Sequence, residues 1–242
     1  FVLTIHGDFR KEKLLGRIFF PIAIKLANTV TVPSEYLRDQ LKLTDVTVIP
    51  NGVGYPDVPK TIYGQLEKQL VIGILTSFNF REKAEGVLTL AGYISEISPK
   101  AQFLVGGDGK FLQEYEKKIR GILPHTQFLG HCKKEDLFSR IDLFAYCSFF
   151  DNQPIALLEA MAYGLPVLSN RIGAVGEILT GAMAKYLADT RDEYKTILSK
   201  LIFSEKERRN CGHSGRIEAV QFSWEHIVEK FIRIYEDKNT CP

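Results

Sequence analysis

Two acidic residues stand eight positions apart in the stretch DNQPIALLEAMAYG, residues 151–164, and their setting points to ligand binding. Asp151 opens the stretch, whereas Glu159 has only apolar residues for three positions on either side. A carboxylate in such surroundings needs a hydrogen-bonding partner, and a ligand hydroxyl group is one candidate. Two acids beside a helix N-terminus could therefore bind a molecule that carries both hydroxyl and phosphate groups. A capping acid and a helix carboxylate with a partner inside the protein explain the same spacing equally well.

Turn and capping residues mark the two ends of a helix in this stretch. Asn152 can cap its N-terminus, and Pro154 suits the first turn, where a missing N–H costs nothing. Gly164 fits the position after the last turn, and Pro166 prevents the helix from continuing. Short apolar runs precede and follow the stretch, so the sequence predicts a loop and a helix between two buried strands.

Three other loops that follow predicted strands carry residues suited to a ligand. Lys83 comes just before a helix and is well placed to meet a phosphate, although a solvated helix start explains it equally well. The loop Gly106–Gly109 allows close backbone approach, but it lacks the third glycine of a dinucleotide motif, and a tight turn also explains it. The loop Gly130-His131-Cys132 contains a histidine, which is a weak signal because loop histidines are common.

The chain alternates between predicted strands and helices, which is typical of parallel sheets. Residues 1–49 contain three strands and two helices, and the stretch PNGVGYPDVPK at 50–60 marks a domain boundary. Beyond it, strands are predicted at 70–76, 102–106, 126–129, 142–147, 165–169 and 183–187. Helices are predicted between them at 84–97, 110–121, 134–140, 154–163 and 174–179. Six strands with intervening helices make a doubly wound domain, in which ligands bind at the C-terminal ends of the strands.

The composition and charge of the chain indicate which classes of protein it can belong to. The hydrophobic content of 45% and charged content of 25% are those of a globular protein, and the net charge of +2 gives no reason to expect a nucleic-acid partner. No apolar run approaches the ~20 residues that span a bilayer. The four cysteines lack metal-binding spacing, which favours a reducing cytoplasm over a disulfide-bonded secreted protein. The chain begins at Phe1 without an initiator methionine, so we expect it to be a piece of a longer protein.

Several segments together fit one known pattern, in which an acid, seven residues and a glutamate lead into a helix of the EAMA type. The main segments are FLG at 128–130, ED-L at 135–137, IDLFAYCS at 141–148 and DNQPIALLEAMAYGLPVLSN at 151–170. Weaker matches are Thr4-Ile5-His6-Gly7, residues 49–53, the loop Gly106–Gly109, Gly176-Glu177-Ile178 and Trp224. These features resemble family 4 of the retaining glycosyltransferases, whose two-Rossmann-domain architecture is called GT-B.

The resemblance implies a fold and an activity. The fold would be α/β of the GT-B type, with one complete Rossmann-like, doubly wound parallel-sheet domain preceded by part of a second and followed by a helical C-terminus. Residues 1–58 would be the end of the acceptor-side domain with its linker, 59–222 the donor-binding domain, and 223–242 a helix packing back toward the first domain. The enzyme would transfer a sugar from a nucleotide-diphosphate sugar to a glycan or lipid-linked acceptor. No metal or other cofactor is expected, because the sequence contains no Asp-x-Asp.

The resemblance also implies roles for individual residues. Glu159 would hydrogen-bond the ribose hydroxyls of the donor, and Asp151 would contact hydroxyls of the transferred sugar. Lys83 would neutralise the leaving diphosphate, and His6 would stabilise charge near the reacting carbon. Other residues of the four loops would contribute to donor binding: Gly106, Gly107, Gly130, His131, Cys132, Asn152, Gln153, Pro154, Ile155 and Ala156.

The sequence departs from the family pattern in three places. Asp151 is one methylene shorter than the usual glutamate, so it reaches less far toward a sugar. The family's Gly-Phe-Gly-like loop is replaced by Asn152-Gln153-Pro154, and the proline removes one backbone N–H. Phe78 stands where an arginine is usual, and Arg81 could supply the missing charge from another backbone position. An ordinary surface arginine is the favoured interpretation of Arg81.

Two functions other than sugar transfer stay open at this point. One is a nucleotide-sugar-binding domain without transferase activity, and the other is a different GT-B enzyme such as a sugar-nucleotide epimerase, against which the EAMA-type helix argues. Arg10, Lys11, Lys13 and Arg17 surround apolar residues and could rest on the inner membrane face, although a solvated helix flank is favoured. We expect the 242 residues alone to bind nucleotide without transferring sugar efficiently.

Overall fold

The computed structural model describes residues 1–7, 14–56 and 69–237, and its strands form two separate parallel sheets. The small sheet contains β1 (Val2–Thr4), β2 (Thr29–Val32) and β3 (Thr47–Val48), in that order. Helices α1 (Leu14–Leu26) and α2 (Glu35–Leu41) connect them. We call residues 1–7 and 14–56 the small-sheet part. The predicted boundary residues 57–60 and the basic residues Arg10, Lys11 and Lys13 lie outside the described residues.

The large sheet has six parallel strands in the order β6-β5-β4-β7-β8-β9, and we call residues 69–222 the large-sheet part. Its strands are β4 (Val71–Leu75), β5 (Gln102–Gly106), β6 (Thr126–Gly130), β7 (Leu143–Tyr146), β8 (Val167–Asn170) and β9 (Leu187–Ala188). Its first helices are α3 (Arg81–Ile97), α4 (Leu112–Ile122), α5 (Lys134–Phe138), α6 (Ile155–Ala162) and α7 (Val175–Ile178). The strand order reverses between β4 and β7, so a crevice opens at the C-terminal ends of those two strands.

The central strands are buried, which explains why their sequences are continuous apolar runs rather than alternating ones. All four residues of β7 and the first four of β4 are buried. Helix α3 packs closely against the end of β7 because Gly86 has no side chain. A Cβ at that position would lie 2.2 Å from the carbonyl oxygen of Cys147. This close approach brings the first turn of α3, which carries Lys83, beside the loop that follows β7.

Three further helices complete the described chain: α8 (Arg191–Phe203), α9 (Glu205–Ala219) and α10 (Trp224–Asp237). The start of α10 is joined to the segment after β3. Val53 donates its N–H to the carbonyl of Phe222 at 2.8 Å, and its own carbonyl accepts from Trp224 at 3.1 Å. The Trp224 ring lies against Gly52, where a Cβ would come within 2.4 Å of a ring carbon.

The α/β architecture expected from the sequence is confirmed, and the predicted boundaries from β4 to β8 are within three residues of the observed ones. The predicted helix end at Gly164 is also confirmed, and Ser34 caps the start of α2. The Ser34 hydroxyl accepts from the N–H of Leu37 at 3.1 Å, and Gly164 has a left-handed φ of +74° after the last turn of α6.

Two local predictions are wrong. Residues 183–187 were expected to be a strand, but Gly181–Tyr186 form a 3₁₀ turn and the strand is only Leu187–Ala188. Met183 and Tyr186 are both buried, and their three-residue spacing suits one side of a 3₁₀ turn. Asn152 does not cap α6, because Pro154 occupies the capping position and the Asn152 side chain bonds elsewhere.

Candidate functional site

A cleft of about 780 Å³ lies at the C-terminal ends of the large-sheet strands, where the strand order reverses. Its walls come from the loops after β4, β5, β6 and β7 and from the start of α6. The lining residues are Leu75, Thr76, Ser77, Asn79, Lys83, Gly107, Asp108, Gly109, His131, Cys132, Tyr146, Asp151, Gln153, Pro154, Ile155 and Ala156. The sequence therefore located all four loops that converge on this cleft.

Lys83 and Asp151 form an ion pair in the cleft. The ammonium of Lys83 lies 2.6 Å from Oδ2 of Asp151, and the two side chains are only 17% and 11% exposed. The hydroxyl of Tyr146 donates to the same carboxylate oxygen. Burial, reinforced by the neighbouring Asp151 charge, raises the pKa of Tyr146 well above its ordinary value of 10.0, so the phenol keeps its proton. The cleft thus holds a cation whose present partner can be replaced by a ligand anion.

Glu159 has the hydrogen-bonding partner that its apolar neighbours demanded, and that partner is Lys134. Their side chains meet at 2.6 Å and are 18% and 29% exposed. Ile155 and Ala156, one turn earlier on α6, line the cleft, whereas Glu159 is not among the lining residues. The sequence did not identify Lys134, because only the packing of α5 against α6 decides which lysine meets Glu159.

Backbone hydrogen bonds join the loop after β5 to the loops after β4 and β6. Gly107 donates its N–H to the carbonyl of Gly130 at 2.8 Å, and Asp108 accepts through its carbonyl from Phe78 at 2.9 Å. Gly107, His131 and Cys132 line the cleft, while Gly106 and Gly130 do not. Burial raises the pKa of the Cys132 thiol, which favours the protonated form over a reactive thiolate.

Arg81 lies away from the cleft. Its guanidinium contacts Glu114 at 3.1 Å and stacks over the ring of Phe111, with 4.6 Å between the guanidinium carbon and the ring centroid. Phe78, at the position where the family pattern has arginine, is fully buried. The structure therefore does not bring Arg81 together with Lys83, and the missing arginine is replaced by a core residue.

The loop after Asp151 contacts the small-sheet part. The side-chain amide of Asn152 donates to the carbonyl of His6 at 3.0 Å, and Asn152 is not among the lining residues. The Gln153 side chain accepts from the N–H of Asn51 at 2.8 Å and donates to the carbonyl of Pro33 at 3.0 Å. The strand end that carries His6 is therefore held beside Asp151, although His6 itself is exposed and does not line the cleft.

Glu177 makes a further contact between the two parts. Its carboxylate accepts from the backbone N–H groups of Glu35 and Tyr36, at 2.9 and 2.7 Å. These are unpaired donors of the first turn of α2, where a negative charge is favourable. The sequence matched Glu177 only as part of a motif, and its partners could not be read from the sequence.

Neither a metal site nor a membrane span is found in the described ranges. No group of three or more histidine, cysteine, aspartate and glutamate side chains in residues 1–7, 14–56 and 69–237 has metal-binding geometry. None of the helices in the same ranges combines the length and the apolar character needed to cross a bilayer.

Comparison with known proteins identifies related enzymes. The chain is 27% identical over 251 residues to an uncharacterized glycosyltransferase of Methanocaldococcus jannaschii, with 98% of this chain and 68% of that protein covered. It is 23% identical to the phosphatidylinositol N-acetylglucosaminyltransferase gpi3 subunit of Schizosaccharomyces pombe, over 83% of this chain and 45% of that protein. The chain thus spans less than half of the second relative.

A solved structure shows the same fold. The Anabaena protein HepE in complex with UDP-glucose superposes with a TM-score of 0.80 at 20% identity, over 98% of this chain and 72% of that protein. The family described as Glycosyl transferases group 1 matches residues 70–202, which contain the cleft loops, Asp151 and Glu159. This match covers more than half of the chain, and the chain belongs to the Glycosyl transferases group 1 family.

Proposed function

We propose that this chain is part of a retaining, metal-independent glycosyltransferase of family 4, which moves a sugar from a nucleotide-diphosphate sugar to a glycan or lipid-linked acceptor. The observation that carries the proposal is the partly buried Lys83–Asp151 pair at the point where the strand order reverses. A cation and a carboxylate beside a helix start suit a ligand with phosphate and hydroxyl groups. The UDP-glucose complex of HepE and the name of the gpi3 relative support this class of donor and a lipid acceptor.

Lys83 and the start of α6 would bind the diphosphate. Transfer breaks the bond between the anomeric carbon and a phosphate oxygen, so negative charge accumulates on the leaving diphosphate. The ammonium of Lys83 and the free backbone N–H groups of Ile155 and Ala156 would stabilise that charge. Pro154 offers no N–H, so it removes one of the backbone donors of residues 153–156 that the family pattern implies.

Asp151, His6 and Glu159 would bind the sugar and the ribose. When a phosphate takes Lys83, the carboxylate of Asp151 becomes available to accept from sugar hydroxyls, while Tyr146 continues to hold its orientation. His6 would reach the donor sugar from the small-sheet part. Glu159 would accept from the ribose hydroxyls through its second oxygen, because Lys134 contacts Oε1.

The setting of the cysteines supports a cytoplasmic location. Cys147 and Cys211 are buried free thiols, and burial raises the pKa of each to about 12. Inert structural thiols are compatible with a reducing compartment. Cys241 lies outside the described residues.

A binding domain without transferase activity is the second candidate. The observation that favours it is that buried Phe78 stands where the family usually has an arginine. Among the residues that line the cleft, Lys83 then supplies the positive charge without help from an arginine. With less positive charge, the site would bind a nucleotide sugar yet stabilise the leaving group less. Release of free nucleoside diphosphate on adding acceptor separates the two, since only a transferase produces it.

The donor site is tested by Glu159→Gln in the full-length protein, with UDP-, GDP- and ADP-sugars in a thermal-shift screen followed by calorimetry. We expect a loss of ~1–3 kcal/mol in binding free energy, because the amide accepts ribose hydrogen bonds less strongly than the carboxylate. The matched control is Glu116→Gln, which alters an exposed carboxylate paired with Arg120 on α4. Unchanged affinity for every donor that the wild type binds, with Tm intact, would remove Glu159 from the site.

A further inference from the structure

Two amide side chains join the Asp151 loop to the small-sheet part. Asn152 bonds the carbonyl of His6, and Gln153 bonds Asn51 and Pro33. All three partners are backbone groups, and they come from three separate places in the small-sheet part: the end of β1, the end of β2 and the segment after β3. The contact therefore fixes the position of that part as a whole, rather than one flexible loop.

Gln153 is built into this contact rather than resting on the surface. The residue is only 6% exposed, and its amide oxygen and amide nitrogen each have a partner across the boundary. A buried amide with both ends satisfied is a specific arrangement, because any other relative placement would leave one or both groups unpaired. Asn152, beside it, is half-buried and donates to the carbonyl of His6, which directly follows the buried Ile5.

The same loop is rigid on the side of the large-sheet part. The carbonyl of Asn152 accepts from the N–H of Ala174 at 2.7 Å, and the N–H of Asn152 donates to Oδ1 of Asp151 at 2.9 Å. Gly173 allows this packing with a left-handed φ of +52°, since a Cβ there would lie 2.3 Å from the carbonyl oxygen of Asp151. The Asp151 loop is therefore hydrogen-bonded to both parts, and Asp151 directly precedes the two residues that contact the small-sheet part.

We propose that Asn152 and Gln153 form a side-chain latch that holds the small-sheet part, with His6, in register with Asp151 while sugar is transferred. The two residues are positioning residues, because they act through His6 and Asp151. They stand where the resembling family has a Gly-Phe-Gly-like loop, which could not make these amide bonds. The kinetic consequence of the latch rests on the proposed function, whereas the contact itself does not.

The latch is reversible by its chemistry. When the two parts separate, water satisfies the four amide and backbone groups of Gln153 and its partners, so each bond contributes only modestly to the closed state. Losing the two bonds of Gln153 should shift the balance between closed and open forms by roughly tenfold. Reacting groups misplaced by about 1 Å already cost on the order of 100-fold in rate, so a small opening suffices to slow transfer.

The first test compares Gln153→Leu and Asn152→Ala with wild type in the full-length protein. We expect kcat to fall at least roughly tenfold in each variant, and by clearly more than the affinity for nucleoside diphosphate or the Tm, because Lys83 and α6 remain intact. The matched control is Gln221→Leu, whose wild-type amide donates to Glu218 within its own segment. Asn152→Ala keeps the test valid if Gln153→Leu does not fold, because Asn152 is not fully buried.

The second test measures rates of backbone amide hydrogen exchange in the ¹⁵N-labelled full-length protein. Asn51 donates its N–H to Gln153, whereas Val53, two residues later, donates to the Phe222 carbonyl. Gln153→Leu should speed exchange at Asn51 by roughly tenfold and leave exchange at Val53 unchanged. This readout needs no catalytic activity, so it separates failure of the latch from failure of the proposed function.

Two results would overturn the latch. One is wild-type kcat together with wild-type exchange at Asn51 in folded Gln153→Leu. The other is a loss of nucleoside diphosphate affinity and of Tm that matches the loss of kcat, which would assign Gln153 to folding of the large-sheet part alone. Slower transfer together with faster exchange at Asn51 supports the latch. If the protein binds nucleotide sugar without transferring it, faster exchange at Asn51 alone supports the latch.

Discussion

At the residue scale, the charged groups proposed to bind the donor are already paired within the protein. Lys83 is bonded to Asp151 and Glu159 to Lys134, each at 2.6 Å. In the proposed donor site, a ligand phosphate would therefore compete with the carboxylate of Asp151, and ribose hydroxyls would share Glu159 with Lys134. Such pairs keep partly buried charges satisfied without ligand and supply oriented groups when the ligand arrives.

We predict that Lys83→Met weakens binding of the cognate nucleoside diphosphate by about 1.5–3 kcal/mol, the usual contribution of a hydrogen bond to a charged group. Binding of the corresponding nucleoside, which has no phosphate, should change little. Calorimetry with the two ligands measures the difference. Lys118→Met is the matched control, because it removes an exposed lysine that is paired with Glu114 on α4. An equal loss for nucleoside and diphosphate would contradict a phosphate-specific role for Lys83.

At the element scale, the site exists because two elements approach closely. Helix α3 reaches the end of β7 only where Gly86 leaves room, and this contact places Lys83 beside the Asp151 loop. The backbone of Phe149 supports the contact by donating to the carbonyl of Glu82 at 3.3 Å. A side chain at position 86 would push the helix away from the strand and separate the ion pair.

A pair of substitutions on one helix tests this packing. Gly86→Ala should destabilise the protein by about 1–3 kcal/mol, because the added methyl overlaps the Cys147 carbonyl and forces a shift. Gly92→Ala, on the same helix with open space around its Cβ, should be neutral or stabilising by up to about 1 kcal/mol, because alanine favours the helix. Urea unfolding compares the two. Equal free energies of unfolding would show that α3 tolerates the shift.

Most helices and strands could be predicted from the sequence, because the apolar pattern and the capping residues of each segment agree with its burial in the structure. The runs in β4 and β7 are apolar throughout and almost entirely buried, and Ser34 and Gly164 mark helix ends by their own chemistry. The strand expected at 183–187 was wrong because a 3₁₀ turn and a short strand share the same apolar composition. Local sequence could not separate them, since the difference lies in which neighbours bury Met183 and Tyr186.

The candidate site was predictable in its loops but not in its contacts. Capping chemistry made Asn152 a reasonable helix cap, yet its amide crosses to His6 because the small-sheet part lies within reach. Lys134 carried no sequence signal, and the contacts of Gln153 with Asn51 and Pro33 could not be read from the sequence, because both follow from the packing of distant segments. The roles of Glu159, Asp151 and His6 in binding a donor are predictions of this account.

At the scale of the whole molecule, acid should destabilise the fold partly through Glu207. This carboxylate accepts from Lys185 and Tyr186, both at 2.9 Å, and so ties the 3₁₀ turn to α9. The Lys185 hydrogen bond, with help from Tyr186, lowers the pKa of Glu207 below its ordinary value of 4.5. A lowered pKa in the folded state means that the stabilisation is present above 4.5 and is lost as pH falls through the folded value.

We therefore predict that Glu207→Gln lowers the free energy of unfolding at neutral pH and that its difference from wild type shrinks as pH falls below 4.5. Lys185→Met should show the same pH dependence, because it removes the main cause of the shift. Urea unfolding across the acid range provides the measurement. A difference that stays constant with pH would show that Glu207 acts through packing rather than through its charge.

The contacts between the two parts of the molecule include those of Asn152, Gln153 and Glu177 beside the cleft and the bonds of Val53 at the start of α10. The proposed sugar transfer needs both parts, since Lys83 and Asp151 belong to the large-sheet part and His6 to the small one. We therefore expect transfer only from the assembled, full-length protein.

The most direct measurement is proton NMR of the full-length protein with the nucleotide sugar that it binds best and a panel of glycan and lipid-linked acceptors. The proposed transfer should release one nucleoside diphosphate for each sugar transferred, with the anomeric configuration of the donor retained in the product and with chelator present throughout. A product of inverted configuration, strict dependence on added metal, or tight donor binding without transfer to any acceptor would contradict it.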